Sequence, residues 1–337
     1  MQTNPRDRLM KLAAQDRRYM DRLDARLIRD LNDAYGSARR ELLGLITERR
    51  NALYTGTFTG DKDTRLRELA RDIALLQQID ARLDALKSDA GRIIRRAWED
   101  ALEWSRGIGV EELEILLHGF NAEDVMIGLP GEAAVQLSLA AIDFTSIEIG
   151  LEEALNALDL SQAQVAAVLR AELRQGLLRG DSFNDLMKRL LARQGSVFNR
   201  GRLSAMLGAR RTVITANNGG RQAIYEYWES RIPGLEKQAV AAIDENTTDC
   251  CLRVHGQIEP ISEPYDLSGT PRFADKMMYP AFHWNCRTSS TAYHRAWERT
   301  SNLTTKDMVA AARAELNARR DGSRQEIHPA HATSRRN

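Results

Sequence analysis

Two apolar stripes with helical spacing occupy the first hundred residues and constrain the fold more than any other feature. Met20, Leu23, Leu27, Leu31, Ala34, Ala38, Leu42 and Leu45 step by three and four, which sets them on one face of a helix. Pro5 suits the first helical position, and Asn4 suits the cap before it. The stripe stops at 54–60 (YTGTFTG), a turn by composition. A second stripe follows through Leu66, Leu69, Ile73, Leu76, Ile79, Leu83, Leu86, Ala90, Ile93 and Ala97. Two long helices joined by a short loop predict an antiparallel αα-hairpin arm over residues 1–106. Each helix would run on the order of 60 Å at 1.5 Å per residue. Such a hairpin buries little surface against itself, so it is expected to pack on a partner or on the rest of the chain.

Residues 107–232 read as a helical middle domain. Gly107-Ile108-Gly109 marks the end of the second helix, with a short helix after it over 110–117 and His118 at its end. Residues 128–131 (GLPG) are a turn, and the Ala- and Leu-rich stretch 132–157 is a buried helix. Gln162–Leu178 and Phe183–Leu191 read as two helices separated at Gly180, with Asp181 or Ser182 capping the second. A further helix, Leu203–Glu229, carries Asn217-Asn218-Gly219-Gly220. Two glycines there predict a bend or a close backbone approach. After Pro233 the texture changes. Residues 237–243 (KQAVAAI) read as a strand, and 233–295 as a small irregular α+β unit, rich in turns and prolines, with little core of its own. A C-terminal helix within 296–320 and a basic flexible tail over 321–337 complete a chain of mainly α class.

Charge narrows the function little. The net charge is +1. Arg pairs recur at 17–18, 39–40, 49–50, 95–96, 210–211, 319–320 and 335–336. They read as solvated helix faces, the alternative being a surface that faces DNA. No apolar run approaches the roughly 18 residues a membrane span needs, and the start, MQTNPRDRLMKL, has no signal-peptide core. The expectation is a protein made in a cytoplasm. Its three cysteines, two of them adjacent, then make no disulfide framework; Cys near His points to metal binding or to plain packing.

The information-rich segment begins at Asp244 and runs through Thr247, Asp249, Cys250, Cys251, His255 and Gly256. It resumes with Pro280, His283, Trp284, Asn285, Cys286 and Arg287. Cys251 and His255 form C-x3-H; His283 and Cys286 form H-x2-C. Two short-spaced pairs separated by a long loop are how small zinc units are built, each pair biting from one turn. A core-poor segment also needs such a staple. Cys251, His255, His283 and Cys286 are therefore the candidate metal ligands, with Cys250 in reserve, and the candidate metal is structural zinc. The alternative is packing alone, with both histidines hydrogen-bonded to backbone. Asp244 and Asp249 read as turn and cap residues or as partners of Arg287.

The run D-x-x-T-x-D-x-C-x-x-x-H-G followed by P-x-x-H-x-N-C-R resembles the head morphogenesis domain of phage Mu F-like minor head proteins. Asp244, Thr247, Cys251 and Gly256 match the first half of that pattern; Pro280, His283, Asn285, Cys286 and Arg287 match the second. Upstream, the helix–Gly-Asp-Ser–helix arrangement of residues 177–190 is similar to the family, as are Ala209, Arg210, Ala216 and Gly220 in register. Four positions depart from it. Arg211 and Thr212 stand where the family usually has Thr and Glu, Asn246 where it has Arg, and Trp284 where it has Pro. The resemblance covers residues 160–295.

It implies a virion structural component, a minor capsid protein associated with the portal. Such a protein acts in head assembly, DNA packaging or DNA delivery, with several copies around the portal vertex and a cytoplasmic stage during assembly. Implied partners are the portal protein, the major capsid protein, and packaged DNA through phosphate contacts that weaken with salt. It implies no enzyme. The alternatives are a metal-dependent, nuclease-like enzyme, with His283 as base oriented by Asn285 or with a Cys251–His255 nucleophile pair, and a zinc DNA-binding module. Neither a His-x-Glu deaminase motif nor a His-Glu-x-x-His motif is present, and the segment lacks the basic helix that zinc modules insert into a groove.

Overall fold

A computed structural model of the chain describes residues 4–54, 62–119, 142–179, 183–242 and 247–297. Four long helices carry most of it: α1 (Pro5–Tyr54), α2 (Lys62–Gly119), α3 (Thr145–Arg179) and α4 (Phe183–Glu229). A short helix, α5 (Asp249–Val254), and five strands follow: β1 (Leu235–Val240), β2 (Ile258–Pro260), β3 (Tyr265–Asp266), β4 (Lys276–Met277) and β5 (Ser289–His294). β1 is the centre of an antiparallel sheet of order β2-β1-β5; β3 and β4 form a separate two-stranded ribbon. The mainly α reading holds. The loop at 55–61, the turn at 128–131, the break at 180–182, Asp244 and Asn246, and the C-terminal helix and tail lie outside the described residues.

The chain forms two compact units. One takes 26–96 and 153–209. Its core draws on the predicted stripes: Leu27, Leu31 and Leu42 from α1 are buried, as are Ile79, Leu83 and Leu86 from α2, while the buried residue near the end of the second stripe is Ile94 and not the expected Ile93. Leu158, Val165 and Leu169 from α3 and Phe198 and Ala205 from α4 are buried too. Ion pairs Arg82–Glu41 (3.0 Å) and Lys87–Asp159 (2.8 Å) link its helices at the surface, where such pairs add little to stability.

The other unit takes 1–25, 97–152 and 210–337. Within it α1 and α2 run antiparallel. Tyr19 stacks on Trp104 with centroids 4.0 Å apart, while Leu9 and Leu12 join Ile108 and Ile115 in a cluster further along. Asn4 caps α1 by accepting the Arg6 N–H (3.0 Å).

α2 does not end at Gly107. It continues to Gly119, leaving His118 in its last turn. A Cβ on Gly109 would stand 2.7 Å from Ile224 Cδ1, so glycine at that position serves contact with α4. Gly219 and Gly220 likewise lie inside an unbroken α4, and close approach is their role. A Cβ on Gly220 would stand 2.0 Å from Ser105 Oγ and 3.0 Å from Leu102 Cδ1. Gly220→Ala is therefore expected to lower stability by ~1–3 kcal/mol through overpacking, read as a shifted urea midpoint with unchanged slope. A midpoint equal to wild type would mean that the two helices part at no cost.

Where α1, α2 and α4 meet the sheet, the core is ionic. Asp16, Glu112 and Arg221 are all 0 % exposed. Arg221 donates through Nη2 to Asp16 Oδ2 (2.8 Å) and through Nη1 to Glu112 Oε1 (3.4 Å). Asp16 also accepts from Trp104 Nε1 (3.0 Å), Asn217 Nδ2 (3.2 Å) and Ser289 Oγ (3.0 Å). Glu112 also accepts from Thr291 Oγ1 (2.9 Å) and from the Tyr225 hydroxyl. Three helices and β5 are thus tied at one buried point. Lys237 of β1 is buried beside it and donates to Gln222 Oε1 (3.3 Å), Ile261 O (3.0 Å) and Met278 O (2.8 Å). Burial pushes its ammonium pKa down to about 8.

Candidate metal centre

α5 is short because its boundary residues are committed elsewhere. Thr247 Oγ1 donates to Ala242 O (2.7 Å). Thr248 is the N-cap with extended backbone, but its hydroxyl makes no capping bond; it lies 3.1 Å from both Cys250 Sγ and His283 Nε2. Gly256 ends the helix at φ 81°, a conformation glycine adopts without strain. Its N–H donates to Ala239 O (2.8 Å), locking the helix end onto β1. The second limb is a tight turn in which Cys286 N donates to His283 O (3.2 Å).

These two turns bring four side chains together. Cys251 Sγ lies 3.1 Å from His283 Nε2 and 3.9 Å from Cys286 Sγ. The donor atoms of Cys250, Cys251 and His283 lie within 4.8 Å of one another, and all three residues are buried. Tyr265 and Phe282 meet edge to face in the apolar cluster that includes all three cysteines. A group of Cys250, Cys251 and His283 could hold a metal ion. Of the sequence-predicted ligands, the fold brings Cys251, His283 and Cys286 together. His255 is placed differently: its Nδ1 accepts the Ala241 N–H (3.0 Å).

The site favours thiolate. Burial raises the Cys286 pKa, but the Cys251 hydrogen bond and the His283 imidazole outweigh it and hold Cys286 well below the usual thiol range. The hydrogen bond from Cys251, then the His283 charge, lowers Cys250 to about 7. The contacts with Cys250 and Cys286, then burial, push the Cys251 thiol well up. Burial works against a charged His283, yet the bond to Cys286 and its charge raise the imidazole pKa overall. Three cysteine sulfurs and an imidazole at one buried point are the donor chemistry of a soft or borderline cation.

The surroundings explain several family positions. Asp249 pairs with Arg272 (3.2 Å). Arg210 donates to Asn285 Oδ1 (2.9 Å) and pairs with Asp24 (2.7 Å), so two positions that match the family pattern touch. Two positions that depart from it also touch: Arg211 lies over Trp284 (5.6 Å) and over Phe273 (4.7 Å), itself edge-on to Trp284. The nuclease-like arrangement does not form, because Asn285 faces Arg210 and His283 faces the cysteines. The Cys251–His255 nucleophile pair does not form either, because Cys251 faces His283.

The geometry defines a class first: a mainly helical protein whose small sheet is closed by a buried Cys/His cluster. Residues 167–291 match the family model described as Phage Mu protein F like protein, and over this segment the chain is similar to phage Mu F-like head morphogenesis proteins. No curated protein and no solved structure matches the chain. The matched segment contains Arg221, Tyr225, Ser289 and Thr291, whereas their partners Asp16 and Glu112 precede it. Among the described residues no helix is long and apolar enough to cross a membrane.

Proposed function

We propose that this protein is a minor capsid component of the virion, present in several copies at the portal vertex and acting in head assembly and in packaging or delivery of DNA. The family match over the sheet and the Cys/His cluster carries this reading. Long helices of 50 and 58 residues are elements suited to docking along other helical subunits. The portal protein is the first partner. The major capsid protein and packaged DNA are further ones, DNA through phosphate contacts of arginines such as the 17–18 and 95–96 pairs. The role is architectural, so the Cys/His cluster acts as a clasp and not as a catalyst.

The clasp is a structural zinc site. Cys251 arrives on α5, and His283 and Cys286 arrive on the turn before β5. Zinc bound there would tie these two limbs of a core-poor segment. Cys251, His283 and Cys286 would supply soft and borderline donors, with the Thr248 hydroxyl 3.1 Å from Cys250 Sγ beside them.

Imaging of purified particles without imposed symmetry tests the placement. The expected result is density for the helices and the small sheet at the portal vertex, with intact chain recovered from the same particles. Recovery of the chain only outside particles would overturn the virion reading.

A further inference from the structure

We infer that the clasp takes three sulfurs and one nitrogen, with Cys250 as the fourth ligand and His255 acting as a strut outside the metal shell. The inference rests on the zinc reading above and deepens it.

Distances favour Cys250. Tetrahedral zinc with Zn–S near 2.3 Å and Zn–N near 2.0 Å sets sulfurs about 3.8 Å apart and sulfur and nitrogen about 3.5 Å apart. Cys251 and Cys286 are already 3.9 Å apart. The Cys251–His283 approach of 3.1 Å is within about 0.4 Å of the ideal. Cys250 Sγ, Cys251 Sγ and a ring nitrogen of His283 lie within 4.8 Å of one another, so Cys250 is within about 1.3 Å of tetrahedral spacing to both. The four side chains are 0 % (Cys250), 4 % (Cys251), 0 % (Cys286) and 9 % (His283) exposed, as a closed structural site requires.

Proton placement excludes His255. Its Nδ1 accepts the Ala241 N–H, so that nitrogen carries no proton. The neutral ring then holds its proton on Nε2, and a protonated nitrogen has no lone pair for a metal. Ligation through Nε2 would move the proton to Nδ1 and set it against the Ala241 N–H. The ring instead closes the backbone just beyond β1, which is a sufficient reason for a histidine one turn after Cys251.

X-ray absorption at the zinc edge on the full-length protein, loaded with zinc alone, reads the shell without any substitution. Three sulfurs and one nitrogen is the expected result. Two sulfurs and two nitrogens would overturn the assignment and leave the zinc reading standing; a chain that binds no zinc would overturn both. Two variants give a second readout with cobalt(II) as probe. Cys250→Ser should weaken binding beyond the roughly 10- to 100-fold typical of losing an outer-shell partner and should remove about one third of the thiolate charge-transfer intensity. His255→Asn keeps an acceptor near the Nδ1 position and should leave affinity and spectrum unchanged. The opposite pattern, Cys250→Ser neutral and His255→Asn weakened with an altered spectrum, would overturn the inference.

Discussion

Arg221→Met is expected to lower the stability of the unit that contains it by ~3–5 kcal/mol, the cost of leaving buried charge without its partner. The guanidinium is fully buried and is the cation that pairs with both Asp16 and Glu112. Burial disfavours its charge, but Asp16 and then Glu112 outweigh that and raise its pKa above the ordinary arginine value. Removing it leaves two carboxylates facing each other in a low-dielectric core. The loss should appear as a lowered urea midpoint. Adding Asp16→Asn and Glu112→Gln to Arg221→Met should restore much of it, because neutral amides carry no such penalty. A single variant within about 0.5 kcal/mol of wild type, the range of an ordinary surface change, would show that the cluster does not hold the fold together.

Stability is expected to fall as pH rises above the ordinary glutamate range, and Glu112→Gln is expected to abolish that fall. Two carboxylates share one guanidinium, so the point carries one negative charge too many unless a proton is taken up. Burial is the largest influence on Glu112 and raises its pKa; Arg221, Tyr225 and Thr291 work the other way, and Asp16 adds to the rise. The groups facing Glu112 are thus Asp16 on α1, Arg221 and Tyr225 on α4, and Thr291 on β5. A carboxyl with a raised folded pKa binds its proton more tightly in the native state than in the unfolded chain. The native state therefore holds more protons between the unfolded value of 4.5 and the higher folded value. Stability is fully present below that window and declines through it, at up to about 1.4 kcal/mol per pH unit for one proton. Urea titrations of wild type and Glu112→Gln from mild acid to neutral pH would measure the difference. A wild-type profile that rises over this range, or one that the variant leaves unchanged, would exclude Glu112 as the proton holder.

The two predictions concern residues that the sequence did not mark. Asp16 lies among the charges of an arginine-rich helix face, and Glu112 lies beside a second acid, Glu111. Nothing in a 3.6-residue period distinguishes a carboxylate that meets Arg221 205 positions later (Asp16) or 109 positions later (Glu112) from one that meets water. The stripes of Leu27, Leu31, Ile79 and Leu83 were legible because helical periodicity is a local property, and those residues are buried as expected. Gly109 was misread as a helix end, since a glycine needed for close packing and a glycine that stops a helix look the same in one dimension. Gly220 could be read as a close approach only because two glycines fell inside an otherwise strong helical pattern.

The Cys/His cluster divides along the same line. The spacing of Cys251, His283 and Cys286 sufficed to predict a meeting point, because C-x3-H and H-x2-C each describe a single turn. It did not suffice to choose between His255 and Cys250. Both lie within one turn of Cys251, and the choice rests on where the Ala241 N–H points. By itself the sequence determined the helical class, the change of texture after Pro233 and the two halves of the clasp, all of which follow from short-range patterns. Only the tertiary structure decided which histidine faces the cysteines, and that residues before position 26 and between 97 and 119 share a compact unit with the small sheet. The reason is physical: a buried charge is tolerated only beside its partner, and for Arg221 the partners come from distant parts of the chain.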